Sequence, residues 1–162
     1  MNEAERKGDR ADVVIRRAER ADVPALIRLL GILFTQEADF VPDADRQSAG
    51  LLLILDNPAS GLILVADGGE RGVVGSACLL FTVSTALGAP VAILEDVIVD
   101  PEWRGQGLGR RLVGAVIEAA GAAGCQRISL LTDHDNARAQ ALYQSFGFLA
   151  SGMRLYRLLL GR

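Results

Sequence analysis

A chain of 162 residues, 50% of them hydrophobic, is long enough for one domain with a sizeable core. Its formal net charge of −3 leaves no basic footprint for nucleic acid as a main partner. The longest apolar runs, such as "LLLIL" at 51–55, fall far short of the roughly 20 residues that a membrane span needs.

The N-terminal "MNEAERKGDRAD" is charged and has no apolar core, so it does not read as a signal peptide. Residues 1–11 are expected to form a flexible tail ahead of one cytoplasmic domain over 12–162. "VVIRRA" at 13–18 reads as a first strand. Asp22 and Pro24 then open a helix whose Leu26, Leu29, Leu30 and Leu33 fall on one face. "TQEADFVPDADRQ" is a polar loop, and a second helix covers 44–56.

"LILVAD" and "GVVGSACLLFTVS" are strands joined by the turn "GGER". "PVAILEDVIV" is nearly apolar except for Glu95 and Asp96, as a strand covered on both faces would be. From Leu108, the residues Leu112, Ala115, Val116, Ala119 and Ala120 recur at helical spacing towards Gly121 and Gly124. "RISLLT" is a further strand, "NARAQALYQSFGF" a short helix, and "LASGMRLYRLLL" can supply one or two closing strands. This order implies an α/β fold with a mixed sheet of six or seven strands and about four helices. Cys78 and Cys125 sit in apolar runs without metal-ligand spacing and read as buried, reduced thiols.

The connection "VIVDPEWRGQGLGRRL" at 97–112 joins a strand to a helix through Gly105, Gly107 and Gly109, with Arg104, Arg110 and Arg111 around them. The first N–H groups of a helix lack internal partners, and the helix dipole adds positive character there. Glycines let a ligand approach that backbone, so the turn suits a phosphate. A tight structural connection is the other reading. A Walker loop would need Lys after its last glycine, where Arg110 stands, and the dinucleotide fingerprint would need G-x-G-x-x-G.

"VIVDPEWRGQGLGRRLV" resembles the acyl-CoA-binding motif of the GCN5-related N-acetyltransferase family, Arg/Gln-x-x-Gly-x-Gly/Ala, at Arg104, Gly107 and Gly109. "LLTDHDNARAQALYQSFGF" is similar to that family's second signature. The resemblance covers about residues 12–160. It implies the acyl-CoA N-acyltransferase fold, splayed between the strands at 91–99 and 127–132. It also implies acetyl-CoA as co-substrate and acetyl transfer to a primary amine, of a small molecule or a peptide, by direct attack.

By the same resemblance, the backbone of Gly105, Gln106, Gly107, Leu108, Gly109 and Arg110, with Arg104, would hold the pyrophosphate. Val97, Ile98 and Val99 would line the pantetheine arm, with the Val97 N–H donating to the thioester oxygen. Asn136 would contact the cofactor or cap its helix. Tyr143 matches the family's general acid, against a plain core-covering tyrosine. Glu95 is the first choice as general base through water, with Asp96 the alternative. The two should face opposite sides of the sheet. No metal site is expected, and His134 reads as a solvated loop residue. Glu37, Asp39, Asp43 and Asp45 fall where the family's acceptor loop lies, which makes them either attractive to a cationic amine or merely solvated. "RLYRLLL" either pairs across a homodimer interface or finishes the sheet. The rival function is a non-catalytic acyl-CoA-binding sensor. Retention of Tyr143 and of an acid at the base position favours the enzyme.

Overall fold

The computed structural model describes residues 13–36 and 41–160, in two compact units, one ending at Leu131 and one beginning at Thr132. The expected tail, Glu37 and Asp39 lie outside the described residues. In the first unit the β-branched and aliphatic runs form β1 (Val14–Arg17), β2 (Gly61–Asp67), β3 (Val73–Ser84), β4 (Ala89–Val99) and β5 (Ile128–Leu130). They lie in the order β1-β2-β3-β4-β5, antiparallel except for the parallel pair β4–β5. A parallel pair needs a crossover, and helix α3 (Leu108–Ala122) provides it. Helices α1 (Val23–Thr35) and α2 (Ala44–Leu55) come between β1 and β2.

The two sheet faces are covered by different helices. On one, Leu26, Leu29 and Leu30 of α1 and Leu51 of α2 cluster with Ile63, Val65, Cys78 and Ile98 of the sheet. Leu79 alternates with Cys78 and Leu80 along β3, so it turns to the other face. There α3 packs on β2, β3 and β4 through its buried stripe Leu112, Val113, Val116 and Ala120. Gly75 permits a close approach: a Cβ on it would meet Leu112 Cδ1 and the Ile98 carbonyl, each at 3.1 Å. Full burial of each such aliphatic side chain contributes about 1.5–3 kcal/mol.

Asp22 precedes α1 as the helical spacing predicts, but its carboxylate does not cap that helix. It accepts two bonds from Arg16, at 2.8 and 2.9 Å, while Arg16 Nε reaches Asp67 at 2.8 Å. The guanidinium holds both carboxyls below their usual range.

Three expectations need correcting. Five strands are present among the described residues rather than six or seven. The stretch 149–160 contains no strand and leaves Leu149, Met153, Tyr156, Leu158 and Leu160 exposed. Its alternating side chains suit a strand, but a strand exists only as part of a ladder, which no sequence pattern supplies. Cys125 is half-exposed, unlike the buried Cys78, and both thiols are free. In the second unit, "NARAQALYQ" forms α4 (Ala137–Gln144).

Candidate active site

The glycine–arginine connection begins where β4 ends. Asp100 donates its N–H to the Val74 carbonyl at 2.9 Å, and its Oδ1 accepts from Glu102 N at 3.1 Å, starting a 3-10 turn over Pro101–Trp103. Arg28 reaches over from α1, donating to Asp100 Oδ2 at 2.6 Å and to the Val73 carbonyl at 3.0 Å. Arg104 folds back, and its Nε donates to the Val99 carbonyl at 2.9 Å. Gly105 and Gly107 then adopt left-handed φ of +77° and +78°, with open space where a Cβ would sit. Gly107 is the N-cap of α3, and the first intrahelical bond runs from Arg111 N to its carbonyl at 3.0 Å. The amides of Leu108, Gly109 and Arg110 precede that bond, so they have no acceptor within the helix. An anion fits the Leu108 and Gly109 amides at the positive end of this helix.

The arginines do more than add charge. Arg111 ties the first turn of α3 to the Val13 carbonyl beside β1, and Arg104 holds the end of β4 at the Val99 carbonyl. Sequence reasoning missed Arg28 and Asp100. The signal for the second was present in "DPE", a dipeptide turn-starter followed by an acid.

Pairing between β4 and β5 covers Ala92–Ile128, Ile93–Ser129 and Leu94–Leu130, then stops. From Glu95 to Val99, β4 is held by β3 alone, which opens the sheet where the splay was expected. The β3 register also slips here: Ser76 pairs with Ile98, but Cys78 pairs with Glu95, so Asp96 and Val97 bulge from β4. Asp96 carries the bend with a φ of +52°, the left-handed region that few residues other than glycine enter.

Directly opposed residues of a ladder share a face, so Glu95 lies on the same face as Cys78, the one covered by α1 and α2. Glu95 is exposed, whereas Cys78 is only 5% accessible. Burial pushes the Cys78 thiol up to about 12, helped by the negative charges of Asp96 and then Glu95. Both carboxylates therefore act on one point of the sheet, Asp96 the more strongly.

In the second unit, Asn136 Oδ1 accepts from Ala139 N at 3.1 Å, which is the capping geometry. Gln140 closes the preceding loop by donating to the Asp133 and His134 carbonyls at 2.9 and 3.0 Å. His134 is exposed, and no metal-ligand cluster occurs among the described residues. Tyr143 is half-buried and stands edge-on to Phe148, ring centroids 5.9 Å apart. Burial raises its phenol above 10, so it keeps its proton at neutral pH.

On α2, Asp43 caps the helix by accepting from Arg46 N at 3.0 Å, and Asp45 lies in its first turn. One turn into that helix, Gln47 is 9% exposed, and its buried Nε2 has no hydrogen-bond partner. No pattern in the sequence singled it out, because glutamine is ordinary in a helix.

The mixed sheet parts beside a bulged strand that leads straight into a helix N-terminus, and solved structures of this fold include acetyltransferases. The acetyltransferase (GNAT) family model matches residues 26–148. The N-acetyltransferase YhfO of Bacillus subtilis, itself uncharacterized, is 33% identical over 83% of this chain and 88% of its own. Thialysine N-epsilon-acetyltransferase of Bos taurus is 40% identical over 46% of this chain, and the match spans 44% of that enzyme. Among solved structures, an acetyltransferase of Trypanosoma brucei superposes with a TM-score of 0.73 at 28% identity, covering 92% of this chain and all of the other. The chain belongs to the GNAT acetyltransferase family, whose co-substrate is acetyl-CoA. No helix among the described residues is long and apolar enough to cross a membrane.

Proposed function

We propose that this protein transfers the acetyl group of acetyl-CoA to a primary amine by direct attack. The observation that carries the reading is the continuity of β4: its one-sided stretch Glu95–Val99 runs directly into the cradle at Gly105–Gly109. The backbone of Gly105, Gln106, Gly107, Leu108, Gly109 and Arg110 holds the pyrophosphate, with Arg104 shaping the approach. Val97, Ile98 and Val99 guide the pantetheine arm, and the Val97 N–H donates to the thioester oxygen as charge develops on it.

The acceptor must arrive as a neutral amine. Glu95 takes its proton through a water, the amine nitrogen bonds to the carbonyl carbon, and the carbon–sulfur bond breaks. Tyr143 gives its proton to the departing thiolate, a role that a protonated phenol can fill. Asn136 fixes the start of α4 and contacts the cofactor. Acidic side chains at Asp43 and Asp45 favour a cationic acceptor in solution.

Free-thiol release from acetyl-CoA across a panel of primary amines tests the reaction, and thermal stabilisation by acetyl-CoA alone tests binding. Stabilisation without turnover of any amine would replace the enzyme with an acyl-CoA sensor. Neither response would sink both readings. In Tyr143→Phe, kcat should fall about a hundredfold with the stabilisation retained.

A further inference from the structure

The turn between β4 and α3 is fixed from several sides. The Asp100 N–H donates to the Val74 carbonyl at 2.9 Å, and the Trp103 N–H to the Asp100 carbonyl at 2.8 Å. Trp103 is buried, and a Cβ on Gly68 of the β2–β3 connection would meet its Cη2 at 3.5 Å. Arg28 attaches the turn from outside the sheet. It stands on α1, 72 residues before Asp100, and its guanidinium divides between Asp100 Oδ2 at 2.6 Å and the Val73 carbonyl at 3.0 Å.

Stability alone does not account for this arrangement. The Arg28 and Asp100 side chains keep 48% and 17% of their accessible surface, and ion pairs open to water contribute little to folding. Both Asp100 oxygens are nevertheless committed, Oδ1 to the Glu102 N–H at 3.1 Å and Oδ2 to Arg28. A carboxylate held at both oxygens does not rotate freely, so the 3-10 turn Pro101–Trp103 starts from a fixed point. The left-handed Gly105 and Gly107, and then the first amides of α3, take their direction from it.

We propose that Arg28 is a positioning residue for the acyl donor: acting through Asp100, it sets the turn that aims the first amides of α3 at the donor's pyrophosphate. This rests on the acetyl-transfer reading, with the pyrophosphate in the cradle. No step of the transfer uses the Arg28 side chain itself, so its loss falls on donor binding and only on the part of the donor that the cradle holds.

Two acetyl donors separate this from a general loss of structure. Acetyl-CoA carries the pyrophosphate, while S-acetylpantetheine has the same thioester and arm but lacks the pyrophosphate and the nucleotide beyond it. Their dissociation constants are measured on the full chain by NMR titration, which needs no turnover. In Arg28→Met the constant for acetyl-CoA should rise about tenfold, while that for S-acetylpantetheine stays within about twofold. The melting temperature should stay within about 2 °C of the wild type. Arg28→Lys keeps the charge without the fork that spans Asp100 and Val73, so it should rise only about threefold. In an Asp100→Ala background, Arg28→Met should add nothing further, because the two residues act as one.

The proposal is overturned if Arg28→Met weakens both donors alike or weakens neither. It is equally overturned if the tenfold loss persists in the Asp100→Ala background, for then Arg28 meets the donor directly. Should Arg28→Met fail to fold, Arg28→Lys carries the same comparison of donors. A wild type that binds acetyl-CoA no more tightly than S-acetylpantetheine removes the pyrophosphate from the cradle, and this proposal with it. A wild type that prefers acetyl-CoA, beside an Arg28→Met that loses nothing, overturns the role of Arg28 alone.

Discussion

From Ala89 to Leu94, β4 is a regular strand that pairs with β3 along its length and with β5 at Ala92, Ile93 and Leu94. From Glu95 to Val99 it has β3 alone, a slipped register and a left-handed Asp96. The first half buries its side chains, with Val91, Ala92 and Leu94 each at 2% exposure or less. In the second half only Ile98 is fully buried. One continuous strand thus passes from holding the sheet together to presenting backbone and carboxylates. The change takes place across the single peptide bond between Leu94 and Glu95.

That contrast can be tested by substitution on either side of the bond. Glu95→Gln should lower kcat/KM about a hundredfold or more with the melting temperature nearly unchanged, as expected for loss of a general base. Leu94→Ala should do the reverse. It removes a side chain paired with Leu79 and Leu130, and it should cost about 2–4 kcal/mol in chemical denaturation while KM for acetyl-CoA stays within about threefold. If Leu94→Ala damages turnover as severely as Glu95→Gln, the division of labour within β4 is wrong.

A smaller effect sharpens the boundary. Asp96→Gly relieves a left-handed conformation that costs most residues about 1–2 kcal/mol, less for Asp, and removes one of the two candidate carboxylates. It should leave stability within about 1 kcal/mol and turnover within a few-fold, whereas Asp96→Val should straighten the bulge and lower both. A hundredfold loss of turnover in Asp96→Gly, with acetyl-CoA binding intact, would transfer the base from Glu95 to Asp96.

Much of this was legible before any coordinates, and for a definable reason. Strands β1 to β4 and helices α1 to α4 follow from hydrophobic period and from glycine and proline placement, which are local properties. The cradle was legible as well, because Gly105 and Gly107 occupy left-handed positions that favour glycine. The bulge was not, since Asp96 is an ordinary residue whose φ is set by how β4 meets β3. The extent of β5 and the state of 149–160 depend on partners distant in the chain. Arg28 escaped for the same reason: it matters through Asp100 and the Val73 carbonyl, partners distant in the chain that sequence spacing does not reveal.

The thiol at the boundary gives the finest test. Cys78 faces Glu95 across the ladder, and its pKa rises from 9.0 to about 12 on folding. Below pH 9 the thiol is neutral in both states and its contribution to stability is fully present. Between pH 9 and 12 the unfolded thiol loses its proton while the folded one keeps it. The unfolded state therefore binds fewer protons, and stability falls as pH rises, by at most about 1.4 kcal/mol per pH unit. Tyr143, raised by burial, acts in the same direction above pH 10. That contribution is common to the wild type and Cys78→Ala, so it cancels when their unfolding free energies are subtracted at each pH. The difference between the two proteins should be flat to pH 8.5 and then decline. Because Asp96 acts on the thiol more strongly than Glu95, the upper end of the decline should move to lower pH further in Asp96→Gly than in Glu95→Gln. No shift in either would mean that burial alone holds the proton on Cys78, and an equal shift in both would mean that the bulge brings the two carboxylates to bear on this point equally.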